Sequence, residues 1–480
     1  MYYKRLPQLS TDYYQLSMSN VYINDDKKDN CAVFDLFIRN NPFHGGYTVC
    51  AGLEQVITYL KNISFSDDDI SLLKNNHPEL SDKFLDYLKS FKFTGELYAI
   101  PEGTIVFPQE PILRIKAPLI EAQIIETSLL SIINHQTLIA TKATRIVQAA
   151  EGDAVLELGL RRAHGSEAGL YGARAAVIGG CAGTSNVESE KLMQLPSKGT
   201  MSHSYVLSYD NEYEAFEKFA IHNPGNIILL VDTYNTLESG VPNAIKLFKK
   251  LKDENSLPKS HGIRLDSGDL AYLSKEARKM LDYAGFEETV ISASSDLDEY
   301  LITDLRLQGA QISLWGVGTK LITAFDQPAL GAVYKLAQIE SDGKIVSKLK
   351  VSNDPGKITN PGYKKVVRIY DNNTKKALAD LIVLEDEIID TSKPLTIFHP
   401  TYTWKKRVLT NYSIKELLVP IIIDGKLVYD IPKIKEIQHH LKQELETMWP
   451  AITRFTNPHE YHVDLSARLW NLKNNILNDE

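Results

Sequence analysis

The sequence has few cysteines and no long apolar run. Three of its 480 residues are cysteine, at Cys31, Cys50 and Cys181, and no CxxC pair occurs. An odd number of isolated cysteines is typical of a reducing compartment rather than of a disulfide-stapled secreted domain. The first residues, MYYKRLPQLSTDYYQ, lack the apolar core of a signal peptide, and no apolar stretch is long enough to span a bilayer. We therefore expect a cytoplasmic protein without a membrane partner.

The sequence also lacks an excess of positive charge. Lys and Arg number 53 against 61 Asp and Glu, so the formal net charge is −8. General nucleic-acid binding requires a basic face, and this composition argues against it. The length and the 43% hydrophobic content are those of an ordinary globular protein with two or three domains. An acidic protein that handles an anionic substrate must concentrate its arginines locally.

Such a local concentration lies between residues 157 and 204. The adjacent Arg161 and Arg162 come first, and two glycine-bearing turns follow, GGCAGTSN and SKGTMSHS, the second of which contains His203. Arginine forks bind phosphate or carboxylate, and glycines let backbone amides approach an anion. A histidine beside such a turn can accept a proton or a phosphoryl group. The stretch predicts a site for a phosphorylated substrate, although His203, one of twelve histidines, has the alternative of a structural or solvated role.

Apolar runs alternate with helical patterns between residues 150 and 320. The runs are AVLELGLRR, IILLVDTYNT, GIRLDSGDL, TVISASSD and ISLWGVGT, and the last four place Asp232, Asp266, Asp296 and Thr319 at their ends. This βα rhythm predicts a parallel sheet. Polar residues gathered at the carboxyl ends of strands favour an irregular TIM-like α/β barrel over an open sheet, here with about six strands.

The remaining chain predicts a second domain of the same α/β class. We expect the barrel over residues 131–349 and a smaller α/β domain built from the N-terminal segment 1–130 and the C-terminal segment 350–480. A helical pattern over residues 119–150 is the longest, with a break expected near Asn134. Strand patterns VVRIYD, LADLIVL and LLVPIII and the charged helix KIKEIQHHLKQELETMW indicate that the C-terminal segment packs on the N-terminal part.

The strand-end turns have both a functional and a structural interpretation. In RLDSGDL, Asp266 could hold sugar hydroxyls or Mg²⁺ and Arg264 an anion, but Asp and Ser before a helical pattern are also good N-caps. The turn GVGT could present amides to a phosphate or be a small βα turn. Asp296 in SSDLDEY could likewise be only a cap.

Aromatic and basic residues also gather near the N-terminus. Tyr14 lies in STDYYQ, and Arg39 and Tyr47 lie in FDLFIRNNPFHGGYTVCAGL. Aromatic rings could stack on a planar substrate and Arg39 could reach an anion. The alternative is ordinary packing within a small domain.

Taken together, the motifs resemble the nicotinate phosphoribosyltransferase family. They occur in the family's order and cover nearly the whole chain: TDYYQLSM, FDLFIRNNPFHGGYTVCAGL, INHQTLIATKATR, ELGLRRAHG, GTSNV, KGTMSHSYV, VDTYNT, GIRLDSGDL, GVGTKLITAFDQPALGAVYKL, SNDPGKITNPGYKK and NPHEYHVDLS. The resemblance implies an ATP-coupled enzyme of the ligase class that acts in NAD biosynthesis. It would join nicotinate to 5-phosphoribosyl 1-pyrophosphate, releasing nicotinate mononucleotide and pyrophosphate, with Mg²⁺ present. It also implies a homodimer in which the Tyr14 region reaches the neighbour's barrel mouth.

The resemblance assigns roles residue by residue. It implies that His203, Asp266 and Arg264 are catalytic, that His203 is phosphorylated, and that Mg²⁺ lies near Asp266. No residue is assigned to ATP. The residues expected to bind substrate are Tyr14, Arg39, Leu158, Arg161, Ser185, Thr200, Arg264, Asp296, Gly318 and Thr319.

Four residues, at three places in the sequence, depart from the family pattern. Leu158 stands where the family often has Phe, His164 replaces a usual Gln, and Cys181-Ala182 replaces Phe-Asp. An aliphatic Leu158 would remove one face of an aromatic sandwich around the pyridine ring.

Ser185 bears on the choice between an acid and an amide substrate. Nicotinamide-using relatives place an aspartate at the corresponding turn, where it would repel a carboxylate, whereas serine is neutral. This favours nicotinate. Two alternatives stay open: a phosphoribosyltransferase that uses nicotinamide or quinolinate, and a non-catalytic nucleotide sensor.

Overall fold

The chain folds into two compact units. A computed structural model describes residues 8–479. One unit joins the chain up to Leu138 to the chain from Ala329, and the central unit spans Ile139–Pro328. The discontinuous unit holds more residues than the central one. The domain boundaries expected near residues 130 and 350 stay a prediction.

The helices have the following bounds within residues 8–479: α1 Tyr13–Asn24, α2 Leu53–Asn62, α3 Asp67–Asn76, α4 Asp82–Lys89, α5 Leu119–Ile124, α6 Glu126–Ala149, α7 Ser166–Ile178, α8 Val187–Met193, α9 His203–Leu207, α10 Glu212–His222, α11 Val241–Asp253, α12 Leu270–Tyr283, α13 Glu299–Leu307, α14 Thr319–Ile322, α15 Ile434–Thr447, α16 Pro450–Thr453 and α17 Ala467–Asp479. In this part of the chain, no helix combines the length and apolar character needed to cross a membrane.

The strands of the same residues are β1 Cys31–Ile38, β2 Thr48–Val49, β3 Glu96–Ala99, β4 Ile105–Val106, β5 Leu113–Pro118, β6 Ala154–Glu157, β7 Gly183–Thr184, β8 Ile227–Leu230, β9 His261–Leu265, β10 Val290–Ala293, β11 Leu314–Val317, β12 Ala332–Ser341, β13 Lys344–Ser347, β14 Lys364–Asp371, β15 Ala377–Leu384, β16 Leu395–Phe398, β17 Lys406–Leu409, β18 Tyr412–Glu416, β19 Val419–Ile423, β20 Lys426–Leu427 and β21 Val463–Leu465.

The central unit is built on a curled, six-stranded parallel sheet. Its strand order is β7-β6-β11-β10-β9-β8, and every neighbouring pair is parallel. Five of these strands are the five apolar runs of the sequence, and the two-residue β7 is the one that the sequence did not indicate. Helices connect the strands in series, so the irregular TIM-like barrel is confirmed.

The strands of this sheet alternate between a packed face and a cavity face. Ile263, Ile291 and Trp315 are buried, with at most 1% of each side chain exposed. Their neighbours Arg264, Ser292 and Gly316 line a cavity instead. Because successive side chains of a strand point to opposite faces, the apolar set packs against the helices while the other set faces the cavity.

The discontinuous unit pairs strands from both ends of the chain. In its seven-stranded sheet, ordered β13-β12-β1-β5-β3-β19-β20, strand β1 is antiparallel to β12 and strand β3 to β19. A second sheet, ordered β18-β14-β15-β21, forms entirely from the C-terminal segment. The return of the C-terminal segment to the N-terminal part is thereby confirmed.

The long helical pattern breaks earlier than the sequence predicts. Helix α5 ends at Ile124 and α6 begins at Glu126, so the expected break near Asn134 is wrong. Asn134 stays within α6 because its side chain has a partner outside the helix: its Oδ1 accepts a hydrogen bond of 3.0 Å from the backbone amide of Ala332.

A buried ion network anchors the turn after β10. Glu299, at the start of α13, binds Lys142 at 2.7 Å and Arg145 at 2.8 Å, and all three side chains are at most 1% exposed. Removing one partner of such a network leaves an uncompensated buried charge, which costs about 3–5 kcal/mol. The network therefore fixes the position of the neighbouring turn that contains Asp296.

Candidate active site

The carboxyl ends of the parallel strands meet at one edge of the central sheet. Leu158 follows β6, Asp232 lies two residues beyond β8, Asp266 follows β9, and the turn Ser294–Asp296 follows β10. Gly318 and Thr319 follow β11. This edge is where barrels of this type hold their functional residues.

A cavity of about 220 Å³ lies among these turns. Arg161, Arg162 and Arg264 contribute to its wall, together with Asp296 and Thr319. Three arginines around a small polar space in a protein of net charge −8 form a local positive site. Their forked donors are suited to phosphate oxygens.

A larger cavity of about 940 Å³ adjoins the first. Both cavities share the wall residues Leu158, Arg161, Arg264, Asp266 and Gly316. The larger one also contacts Ser185, Thr200 and His203. The structure therefore brings ten of the expected site residues to two connected spaces: Leu158, Arg161, Ser185, Thr200, His203, Arg264, Asp266, Asp296, Gly318 and Thr319.

Arg264 is prepared to bind an anion. Its Nη1 donates a 2.5 Å hydrogen bond to the hydroxyl of Thr200, and its Nε is buried without a hydrogen-bond partner among residues 8–479. Burial lowers the pKa of Arg264, and the carboxylates of Asp266 and Asp232 oppose that shift. Because a buried guanidinium donor is costly to leave unpaired, the side chain favours an incoming carboxylate or phosphate.

The segment that contains Thr200 bridges the two edge strands of the sheet. Ser197 pairs with Thr184 of β7, and Asn226, just before β8, donates a 2.8 Å hydrogen bond from Nδ2 to the carbonyl of Gly199. Helix α9 then begins at His203. The glycine-bearing turn SKGTMSHS therefore lies between the two edge strands, β7 and β8, of the curled sheet.

Asp232 links His203 to the turn after β9. Its Oδ1 lies 3.2 Å from Nε2 of His203, and its Oδ2 accepts hydrogen bonds from the amide of Asp266 at 2.8 Å and the hydroxyl of Ser267 at 2.7 Å. The Asp232 side chain is 2% exposed, whereas that of His203 is 40% exposed. The sequence placed Asp232 at a strand end but assigned it no role; the signal was its equivalence in position to Asp266 and Asp296.

Gly240 sets the position of Asp232. It ends a π-helical turn over Thr236–Gly240, and a Cβ at this glycine would lie 1.8 Å from the carbonyl oxygen of Val231. Only glycine allows this approach without displacing the strand end. A larger residue would therefore move Asp232 and, through it, His203.

The turn after β10 holds two non-glycine residues in left-handed conformations. Ser295 has φ 105° and Asp296 has φ 43°. Such conformations cost on the order of 1–3 kcal/mol each and persist where the surrounding structure enforces them. Ser294 also donates a hydrogen bond from its hydroxyl to Asp266, which connects this turn to the neighbouring one.

Leu158 and the departures from the family pattern have different surroundings. The Leu158 side chain lies over Gly316, where an added Cβ would be 2.6 Å from Leu158 Cδ1. Ala182 lines the larger cavity, whereas Cys181 is buried and its burial raises the pKa of the thiol. His164 is exposed on the surface.

Tyr14 and Arg39 belong to the discontinuous unit. Tyr14 lies on α1 and is 48% exposed, and Arg39 follows β1. The pKa of Lys335 is lowered chiefly by burial, and the positive charges of Arg39 and Lys350 lower it further. Their roles at the site stay a prediction.

The carboxylates at the strand ends do not by themselves form a metal centre. In residues 8–479 no group of three or more His, Cys, Asp or Glu side chains is arranged to hold a metal ion. Asp266 and Asp296 nevertheless face the smaller cavity. Magnesium commonly binds through one or two carboxylates plus substrate phosphates, so these two residues fit an ion that arrives with a diphosphate.

Comparison with known proteins identifies the family. The family models match residues 9–134 as the nicotinate phosphoribosyltransferase N-terminal domain, residues 154–387 as the nicotinate phosphoribosyltransferase family, and residues 363–473 as the C-terminal domain. A nicotinate phosphoribosyltransferase of Bacillus subtilis is 49% identical over 465 residues, which cover 97% of this chain and 94% of the relative. The chain belongs to the nicotinate phosphoribosyltransferase family. The resemblance inferred from the motifs is thereby confirmed.

Other relatives support the same family over its full length. A nicotinate phosphoribosyltransferase of Caenorhabditis elegans is 36% identical and covers 96% of this chain and 92% of the relative. The crystal structure of human nicotinic acid phosphoribosyltransferase superposes with a TM-score of 0.86 at 27% identity, covering 97% of this chain and 99% of the human chain. The fold is therefore that of the family.

Proposed function

We propose that the protein makes nicotinate mononucleotide and pyrophosphate from nicotinate and 5-phosphoribosyl 1-pyrophosphate, coupled to ATP hydrolysis, in NAD salvage. The observation that supports this most is the pair of adjoining cavities that share Arg161 and Arg264. The smaller cavity has the arginines that a phosphorylated sugar needs, and the larger one offers Arg264 and Thr200 to a carboxylate.

The reaction makes different demands on the two sides of the ribose. The pyridine nitrogen bonds to the anomeric carbon while the bond from that carbon to the pyrophosphate oxygen breaks. Positive charge develops on the ribose, beside the carboxylate of Asp266, and negative charge develops on the leaving group, beside Arg161 and Arg162. Preorganised charges of this kind stabilise the transition state more than the bound substrates.

ATP coupling is assigned to His203. In this proposal an imidazole nitrogen takes the γ-phosphoryl group of ATP, ADP leaves, and water later cleaves the phosphohistidine to phosphate. Asp232 holds the ring by its contact with Nε2, and 40% of the His203 side chain is exposed to a reactant. The added charge of the phosphoryl group would order the Lys198–Thr200 turn and tighten substrate binding.

Magnesium fits the same arrangement as a companion of the diphosphate. Asp266 and Asp296 would hold it at the smaller cavity, where both side chains contribute to the wall. When bound, the ion neutralises charge on the leaving pyrophosphate.

Ser185 is proposed to allow binding of nicotinate, the acid, in place of nicotinamide, the amide. It follows β7 and lines the larger cavity, so a charge at this position would face the pyridine substituent. Ser185→Asp is expected to lower kcat/KM for nicotinate by about a hundredfold, because like charges in a desolvated site cost several kcal/mol. Steady-state kinetics with nicotinate and nicotinamide measures this preference. Ser185→Asn is the neutral control, and an equal loss in both variants would mean that size rather than charge is responsible.

The assembly and the compartment are also proposals. The exposed Tyr14 ring on α1 is available to a neighbouring copy, in agreement with a homodimer that shares its active sites. Three free cysteines accord with a cytoplasmic enzyme.

Product formation tests the proposed function. The purified protein is incubated with phosphoribosyl pyrophosphate and nicotinate, nicotinamide or quinolinate, with and without ATP, and nucleotides are separated by chromatography. We expect nicotinate mononucleotide from nicotinate and a higher rate with ATP. Better turnover of nicotinamide or quinolinate would assign a different pyridine substrate. No product from any of the three would favour a non-catalytic nucleotide sensor.

A further inference from the structure

Glu157 is a buried carboxylate to which none of the roles above has been assigned. It is the last residue of β6 and its side chain is 0% exposed. Its Oε1 accepts a hydrogen bond from the amide of Gly159, and its Oε2 accepts one of 2.5 Å from the hydroxyl of Thr184. Both donors are neutral, and burial raises the pKa of Glu157 while these two hydrogen bonds oppose the shift. Burying a carboxylate without a cationic partner costs free energy, which raises the question of what this side chain contributes to the site.

One arm of this carboxylate holds the turn that carries Arg161. The Glu157 contact fixes the amide of Gly159 at the start of that turn, and the amide of Leu158 donates to the carbonyl of Val317 at 2.8 Å. The backbone of Gly159 also packs closely against the turn after β11, since a Cβ there would lie 2.6 Å from Ile322 and 2.8 Å from the carbonyl oxygen of Gly318. Because Arg161 lies two residues after Gly159 and lines both cavities, the hydrogen bond to Glu157 helps to orient the turn that carries this arginine.

The other arm holds the turn that carries Ser185. The Thr184 hydroxyl donates to Glu157 and accepts a 3.0 Å hydrogen bond from the amide of Asn186. The amide of Ser185 donates to the backbone carbonyl of Glu157 at 2.8 Å. Ser185 therefore lies between Thr184 and Asn186, and both are linked by hydrogen bonds to Glu157, Thr184 directly and Asn186 through the Thr184 hydroxyl.

We propose that Glu157 is a positioning residue that aligns the Arg161 turn and the Ser185 turn for substrate binding. This rests on the proposed function, because the effect is expressed through nicotinate and phosphoribosyl pyrophosphate. The side chain lines neither of the two cavities. It acts through one hydrogen bond to each turn, on two neighbouring strands of the barrel.

Glu157→Gln tests both arms, because a glutamine presents one acceptor oxygen and an NH₂ group that cannot accept from the second donor. We expect KM to rise about tenfold for both substrates, with a smaller change in kcat. Thr184→Val separates the arms, since it removes the hydroxyl but keeps the shape. It is expected to raise KM for nicotinate and leave that for phosphoribosyl pyrophosphate within about twofold. If Glu157→Gln does not fold, the Thr184→Val variant still tests the arm that holds Ser185.

Glu121→Gln is the matched control. Glu121 in the discontinuous unit is 5% exposed and accepts hydrogen bonds from the amide of Thr94 at 2.7 Å and its hydroxyl at 2.9 Å. Its loss should lower the melting temperature without changing either KM. If Glu157→Gln and Thr184→Val behave like this control, Glu157 is only structural and the proposal is wrong. Wild-type protein measured in parallel separates the two failures: absent wild-type turnover overturns the proposed function, whereas unchanged KM values in active variants overturn the role of Glu157.

Discussion

His203→Ala is expected to abolish the stimulation of nicotinate mononucleotide synthesis by ATP. The imidazole lines the larger cavity, and its Nε2 is held 3.2 Å from Asp232, an arrangement suited to accept and retain a phosphoryl group. The rate with ATP should fall, by about tenfold or more, to the rate without ATP. Wild-type protein incubated with ATP should carry an acid-labile, base-stable phosphate that the variant lacks.

The control for this experiment is another histidine of the same unit. His222 ends α10 on the surface, and His222→Ala should keep both the phosphate and the ATP stimulation. Full ATP coupling in His203→Ala would show that the phosphoryl carrier is elsewhere. If ATP stimulates the wild-type reaction but the protein carries no phosphate, ATP is hydrolysed directly, without a phosphohistidine.

Arg264→Ala is expected to raise the KM for nicotinate on the order of a hundredfold. Arg264 lines both cavities, binds Thr200 and keeps a buried Nε unpaired among the described residues. Truncating one partner of a buried, charged hydrogen bond costs about 2–5 kcal/mol, and 1.4 kcal/mol is a factor of ten. Kinetics at saturating phosphoribosyl pyrophosphate and ATP measures the effect on nicotinate alone.

A second arginine of the same barrel, which lines neither cavity, serves for comparison. Arg278 on α12 binds Asp282 and the carbonyl of Thr289, away from both cavities, so Arg278→Ala should lower stability but keep the nicotinate KM. Arg264→Lys retains the charge without the fork and should recover only part of the loss. A defect confined to ATP binding in Arg264→Ala would place this arginine at a different step.

Local sequence patterns predicted most of the barrel. Each of the runs that end at Asp232, Asp266, Asp296 and Thr319 became a strand followed by a turn at the same edge. These elements could be predicted because strand periodicity and helix patterns are encoded within about ten consecutive residues. The two-residue β7 could not, since it is defined only by its pairing with β6.

The helix break and the partner of His203 needed contacts between distant residues. Asn134 was expected to interrupt α6, but the backbone amide of Ala332, 198 positions away in sequence, donates a hydrogen bond to its side chain. Asp232 acquires its role only when β8 and β9 lie side by side, because its oxygens then reach His203 and the turn after β9. Neither relation leaves a periodic signal in the sequence.

The sequence by itself determined the α/β class, the order of the strands along the chain and which chemical groups stand at their ends, because these follow from short-range patterns and residue types. The tertiary structure decided which of those groups meet. It placed Thr200 on Arg264, 64 positions away, and gave Glu157 two donors on separate turns. Such contacts depend on the pairing of parallel strands that are far apart in sequence, and their geometry exists only once the barrel has formed.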